Sequence, residues 1–509
     1  MRRTTTALCA LAAAWMPLAD ASARSVAEAL QIEDTAFGLG TLTEADGALG
    51  GELWDGADPQ ALAGVLAGLP RSYAEPAYLD LARRVLLSPA TAPDGADDAL
   101  AGAKLRAAAE LGFYRDAGEL AELAPQLSAQ PDLTKVAALS ALLDGDVRRA
   151  CTRGARLTQG RADPFFLQLR YLCYVDAGEE SAADLTLGLL TDQGLLSEGA
   201  ERVFTALQTS GDLGGSVSPE DAFQYAAIQM LGAEVSVAAV PELPGSVLAA
   251  VARDAKAPSE LRLPALERAL AVGLIGPSEG QGLAAEMAET PLAAEVVAVA
   301  TERAGSPEMA AAAARSLGEA TSYDGFRARA ALFRDAARTG PGPDQASVPY
   351  AGTLALAAIV NGDLEAGRAW TGAMAASGEA EARRKAALSE LSDLAEGRAR
   401  VVAVPLSDPL AEGGPDVAGL TAQALATARG GSKGAAALVA LAGLGVAAEG
   451  EAEAVREAIV LSMLEQSGMA GEVARRVALE AEAAAIFAGG ADDEFADADP
   501  VPRLKPDEQ

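Results

Sequence analysis

The sequence predicts an all-α protein, and composition and periodicity together predict it. About a quarter of the 509 residues are alanine, aromatic residues make up only 4%, and runs of β-branched residues are scarce. Alanine is the best helix former, whereas strands favour β-branched and aromatic side chains, so local preference points to helix throughout. From Asp58 onward, amphipathic stretches of about ten to fifteen residues alternate with Gly, Pro and Asp clusters, the usual spacing of globular helices. A chain of 509 residues exceeds the length at which one core stops growing, so several subdomains or an open-ended repeat stack are expected.

Taken in chain order, residues 1–23 read as a secretory signal. Arg2 and Arg3 give a positive start, Ala7 to Leu18 an apolar stretch, and Ala21-Ser22-Ala23 a small-residue cleavage site. Cleavage near Ala23 leaves a mature chain that starts at Arg24 and resides in the periplasm or outside the cell. Thr4, Thr5 and Thr6 stand where a twin-arginine signal prefers bulky apolar residues, which leaves the export route open between that and the general pathway. Cys9 has Thr6 where a lipid-attachment site needs an aliphatic residue. The uncharged stretches Gln345 to Gly362 and Gly434 to Ala448 are too interrupted or too short to span a bilayer. No integral membrane segment is expected in the mature chain.

Residues 24–57, Gly-rich around a lone Trp54, read as an irregular N-terminal cap. Helical subdomains follow at 58–209, 220–338, 350–400 and 418–488. They are separated by the Gly- and Pro-rich breaks Ser210 to Pro219, Thr339 to Pro349 and Val401 to Val417. Residues 489–509 are acidic and nearly devoid of aliphatic side chains, which predicts a disordered tail.

Within the first subdomain an apolar helix, a Gly beside an acid and a second apolar helix recur. The turns fall at Ala117-Gly118-Glu119, Asp144-Gly145-Asp146 and Ala177-Gly178-Glu179. Gly145 and Gly178 are each followed five residues later by a small Ala, Ala150 and Ala183, and Tyr174 precedes Gly178 by four. Asn361-Gly362-Asp363 repeats the turn once more. Over about residues 105–190 this resembles a degenerate tetratricopeptide-type repeat, a helix-turn-helix unit of ~34 residues. The resemblance implies an α-solenoid of stacked antiparallel helix pairs that binds protein on a long concave surface.

None of the 509 residues is histidine, which removes the commonest general acid/base and the commonest transition-metal ligand together. Ser-His-Asp and Cys-His mechanisms, HExxH metal sites and His-ligated haem are thereby excluded. None of the six lysines has a serine three positions before it, so the Ser-x-x-Lys arrangement is absent as well. Gly-x-Ser-x-Gly occurs around Ser278 and Ser432, but neither follows a strand-like run, and both read as Gly-rich turns. Gly430-Gly431-Ser432-Lys433 likewise reads as a turn and not a phosphate cradle. No cofactor or metal is expected.

Forty basic residues against 72 acids give a net charge of -32, which repels nucleic acid. Paired carboxylates need no histidine, and an exported α-superhelix resembles soluble lytic transglycosylases in architecture. A glycan-acting envelope enzyme using two carboxylates is therefore the alternative function. Since no aromatic-rich catalytic domain is present, the expectation is a non-enzymatic, exported periplasmic scaffold or adaptor for another protein or a cell-envelope assembly.

One segment departs from the acidic background. Between Val147 and Val175 lie Arg148, Arg149, Arg153, Arg156, Arg161 and Arg170, with Asp163 the sole acid and Phe165, Phe166, Tyr171 and Tyr174 interleaved. Arg149, Arg153 and Arg156 share a helix face at i, i+4 and i+7. With Arg170, Tyr171 and Tyr174 they form either a docking patch for an acidic partner or a solvated face that neutralises neighbouring acidic helices. The same segment carries Cys151 and Cys173, the only cysteines after Cys9. The loop Gln159 to Asp163, with Pro164 as a helix-starting residue, places them at similar heights on two antiparallel helices. In an oxidising compartment a disulfide is expected between them.

Overall fold

The computed structural model describes residues 36–490, apart from residues 74, 125–128, 288, 293, 297–306, 335, 337–349, 376–377 and 399–414. The leader with Cys9, the start of the cap, the break Thr339 to Pro349, most of Val401 to Val417 and the tail beyond Gly490 lie outside the described residues. Within them the chain is all-α, as composition predicts, and the only strand-like pairing is an isolated parallel bridge between Val217 and Val235.

The first half comprises α1 (Pro59–Ala67), α2 (Pro76–Leu87), α3 (Asp98–Ala108), α4 (Tyr114–Glu122), α5 (Pro131–Leu143), α6 (Val147–Ala155), α7 (Pro164–Ala177), α8 (Glu180–Asp192), α9 (Glu198–Thr209), α10 (Ala222–Leu231) and α11 (Gly245–Arg253). The second comprises α12 (Ser259–Val272), α13 (Pro277–Glu286), α14 (Pro307–Gly318), α15 (Tyr323–Leu332), α16 (Ala351–Val360), α17 (Leu364–Ala373), α18 (Glu379–Ala395), α19 (Pro415–Gly430), α20 (Lys433–Leu444), α21 (Glu451–Ser467) and α22 (Ala470–Gly490).

The starts follow from local chemistry. Proline occupies the first turn of α1, α2, α5, α7 and α13, where its missing N–H costs nothing. Asp58, Asp97, Asp146, Asp163, Asp221 and Asp363 accept hydrogen bonds from first-turn amides that would otherwise lack a partner. The predicted Gly turns hold at Gly145, Gly178 and Gly362, which adopt φ of +74°, +70° and +78°. They fail at Gly118, which lies inside α4 and faces Ser140 of α5; the helix needs a small residue there for close approach.

Neighbours in sequence pack as pairs: α4 on α5, α5 on α6, α6 on α7 and α7 on α8. In contrast to an open stack, however, the two ends meet. α20 packs on α1 and α2, and α22 packs on α2. Leu53 O accepts from Gly434 N at 2.8 Å and from Ser432 Oγ at 3.1 Å. Trp54 is fully buried, edge-on to Phe37 at 5.3 Å, and a Cβ on Gly434 would stand 2.7 Å from its ring. The Gly-rich run at 430–434 therefore serves close packing, with Ser432 capping α20.

One apolar cluster runs from Ala36 to Val473 and takes in both ends of the chain. A second, around Phe326, Leu354, Trp370, Leu391 and Ile486, joins α14 to α18 with the last turns of α22. No helix among the described residues is long and apolar enough to cross a membrane.

Candidate functional site

The arginine-rich segment folds as the helix pair α6–α7, joined by residues 156–163. Asp146 caps α6 by accepting from Arg149 N at 2.9 Å, and Asp163 caps α7 by accepting from Phe165 N at 2.9 Å. Gly154 lies against Leu169 and Phe166, which lets the two helices approach. Cys151 and Cys173 face each other across the pair with Cα atoms 5.6 Å apart and are joined by a disulfide. Both cysteines are half-buried; Ala150 is the fully buried residue of α6, while Ala155, one turn after Cys151, is exposed. The bond fastens α6, which buries little apolar surface of its own, to the better-packed α7.

The structure separates the predicted patch residues. Arg149 and Arg153 do share a face, and both reach Glu122 at the end of α4, at 2.7 and 2.8 Å. Burial raises the Glu122 pKa, but the Arg149 hydrogen bond and the two guanidinium charges outweigh it and hold the carboxyl below its ordinary value. Tyr171 is fully buried; its hydroxyl donates to Phe204 O at 2.6 Å and its ring stacks on Phe204 at 4.8 Å. Tyr174 is half-buried against the main core. Arg170 is half-buried, its Nε without a hydrogen-bond partner.

Arg156 is exposed and joins neither pair. With Arg148 and Arg161 it makes no ion pair among the described residues, and all three are exposed. Sequence spacing missed Glu122, which only the packing of α4 near α6 brings to the arginines. It also missed the outer face of α8, where Leu185 is 78% and Leu189 40% exposed, one helical turn apart.

The other singled-out motifs are structural. Ser278 lies in the first turn of α13 and Ser432 caps α20. In comparisons with known proteins, no family model, curated protein or solved structure matches this chain.

Proposed function

We propose that the protein is an exported helical scaffold or adaptor that holds an acidic segment of another envelope protein against α6–α8. The observation that carries this reading is the set of free, exposed arginines Arg148, Arg156 and Arg161 on a disulfide-held helix pair, in a chain whose net charge is -32. Arginine concentrates at protein interfaces because its planar donor fork pairs with carboxylates. The exposed leucines of α8, the helix that packs on α7, offer apolar contact area as well. A tetratricopeptide-like use of stacked helix pairs and a periplasmic location belong to the same proposal; the leader-like residues 1–23 and the disulfide support the location.

The test is crosslinking of the tagged full chain in its native cell envelope, beside a triple variant Arg148→Glu, Arg156→Glu, Arg161→Glu. A partner crosslinked to α6–α8 through an acidic segment in the native chain, and lost in the variant, is the expected result. Identical crosslinks from both chains would overturn the assignment of this surface. Fractionation with membranes and an N-terminus other than Arg24 would overturn the exported, unanchored state.

A further inference from the structure

A separate cavity of about 230 Å³ opens where the first turns of α7, α10 and α11 converge on α3 and α5. Its apolar wall is Phe165, Phe223 and Leu139, with the two rings edge-to-face at 4.9 Å. Formal charge in the lining balances, since Arg71, Arg106 and Lys135 stand with Glu110, Glu220 and Asp221. What distinguishes the two signs is which groups are already engaged.

Two of the three carboxylates are hydrogen-bonded within the protein, each through one oxygen. Asp221 accepts from Gln224 N at 2.9 Å as the cap of α10. Glu220 accepts from Ser197 Oγ at 2.8 Å and from Gln224 Nε2 at 2.9 Å. Glu110 faces Arg71 at 4.0 Å, and Lys135 is held by Asp163 at 2.7 Å and Asp132 at 3.1 Å.

Two donors are not engaged. Arg106 is half-buried and has no side-chain partner among the described residues. The Ser246 side chain belongs to a residue only 7% exposed, lines the cavity and has no hydrogen-bond partner among the described residues. Ser246 lies in the first turn of α11, whose N-cap is Pro244 and which no side chain caps, in contrast to α7 and α10. That start is fixed in place by close backbone packing: a Cβ on Gly245 would stand 2.2 Å from Leu111 O of the π-helical turn Ala109–Phe113. Neither donor is committed among the described residues of the protein, and an uncapped helix start favours negative charge.

We propose that this cavity binds a small organic carboxylate, its charged end at Arg106, Ser246 and the start of α11 and its apolar body against Phe165, Phe223 and Leu139. The ligand is an acceptor because Glu220 and Asp221 already accept hydrogen bonds within the protein while Arg106 and Ser246 donate none among the described residues. It is organic because three apolar side chains, two of them aromatic, line the same cavity. The arginines and leucines proposed to contact a protein partner, Arg148, Arg156, Arg161, Leu185 and Leu189, do not line this cavity, so the two readings stand or fall separately.

Isothermal titration of the full chain with phenylacetate, phenylacetamide and inorganic phosphate tests this. Phenylacetate is expected to bind at least about tenfold more tightly than the isosteric amide, which lacks the charge. Arg106→Gln should weaken phenylacetate about tenfold or more and Ser246→Ala about threefold, with the melting temperature of each variant near that of the native chain. Arg148→Glu should leave phenylacetate affinity unchanged. Equal affinity for acid and amide, undiminished binding in Arg106→Gln, or absence of phenylacetate binding would overturn the proposal. Displacement of phenylacetate by lower concentrations of phosphate would overturn the organic part of it. Should Arg106→Gln fail to fold, the Ser246→Ala titration and the acid-to-amide ratio still decide.

Discussion

Glu122 sits where two opposing effects meet, and their balance sets a pH dependence. Burial acts to raise its pKa, yet Arg149 and Arg153 hold it below the ordinary glutamate value of 4.5. A carboxyl whose pKa is depressed on folding contributes stability above its unfolded pKa, and that contribution is lost as pH falls through the folded pKa. Urea unfolding of the native chain should therefore weaken between neutral pH and about pH 3 more than unfolding of Glu122→Gln does. Parallel pH profiles for the two chains would show that the bridges contribute nothing. At Cys151 and Cys173 the expected outcome is absence of free thiol at either position when the denatured, unreduced protein is labelled and mapped. Replacing both by serine should cost about 3 kcal/mol, the value for a loop of this size. The disulfide was legible in the sequence because helix, short loop, proline start and helix are local information. Glu122 was not, since it lies 27 residues before Arg149, and no periodicity says which acid a folded chain brings to a given arginine.

At the scale of elements, helices were legible where caps and breakers are explicit, as at Asp58-Pro59, Asp163-Pro164 and Ser432. Glycine was the ambiguous letter. Gly145 and Gly178 turn the chain, but Gly118, with the same acidic neighbour, lies within α4 against α5. Alanine substitution at Gly118 separates close packing from helix preference. In an exposed helix, Gly→Ala stabilises by about 1 kcal/mol through helix preference. At Gly118 the added methyl would stand 2.4 Å from the Ser140 side chain, so Gly118→Ala should instead destabilise by about 1–3 kcal/mol. Ser140→Gly in the same chain should recover part of that loss by clearing the methyl's place. Thermal unfolding of the single and double variants checks both signs, and a stabilised Gly118→Ala would mean that α4 and α5 stand further apart than described. The free donors of the α11 cavity were illegible for another reason: what makes Ser246 and Arg106 notable is the absence of partners, a property of the fold and not of any motif.

For the whole molecule, the meeting of the chain ends is the feature that spacing along the sequence could not give. Repeat patterns describe neighbours, and a stack read from them has two open ends. Here Leu53, Trp54 and α2 are covered by α20 and α22, and α22 continues from the first apolar cluster at Val473 into the second at Ala483 and Ile486. A helix of 21 residues that contributes to both clusters should couple their unfolding. Trp54 lies in the first cluster and Trp370 in the second, and in a chain lacking residues 1–23 they are the only tryptophans. In that chain carrying Trp370→Phe, fluorescence reports on Trp54 alone. Ile486→Ala, which opens a cavity in the second cluster, should cost about 2–4 kcal/mol. If α22 couples the clusters, this loss moves the denaturant midpoint seen by Trp54 together with that seen by far-UV circular dichroism. A Trp54 midpoint that stays in place while part of the helical signal melts earlier would mean that the two clusters unfold independently and that α22 frays between them.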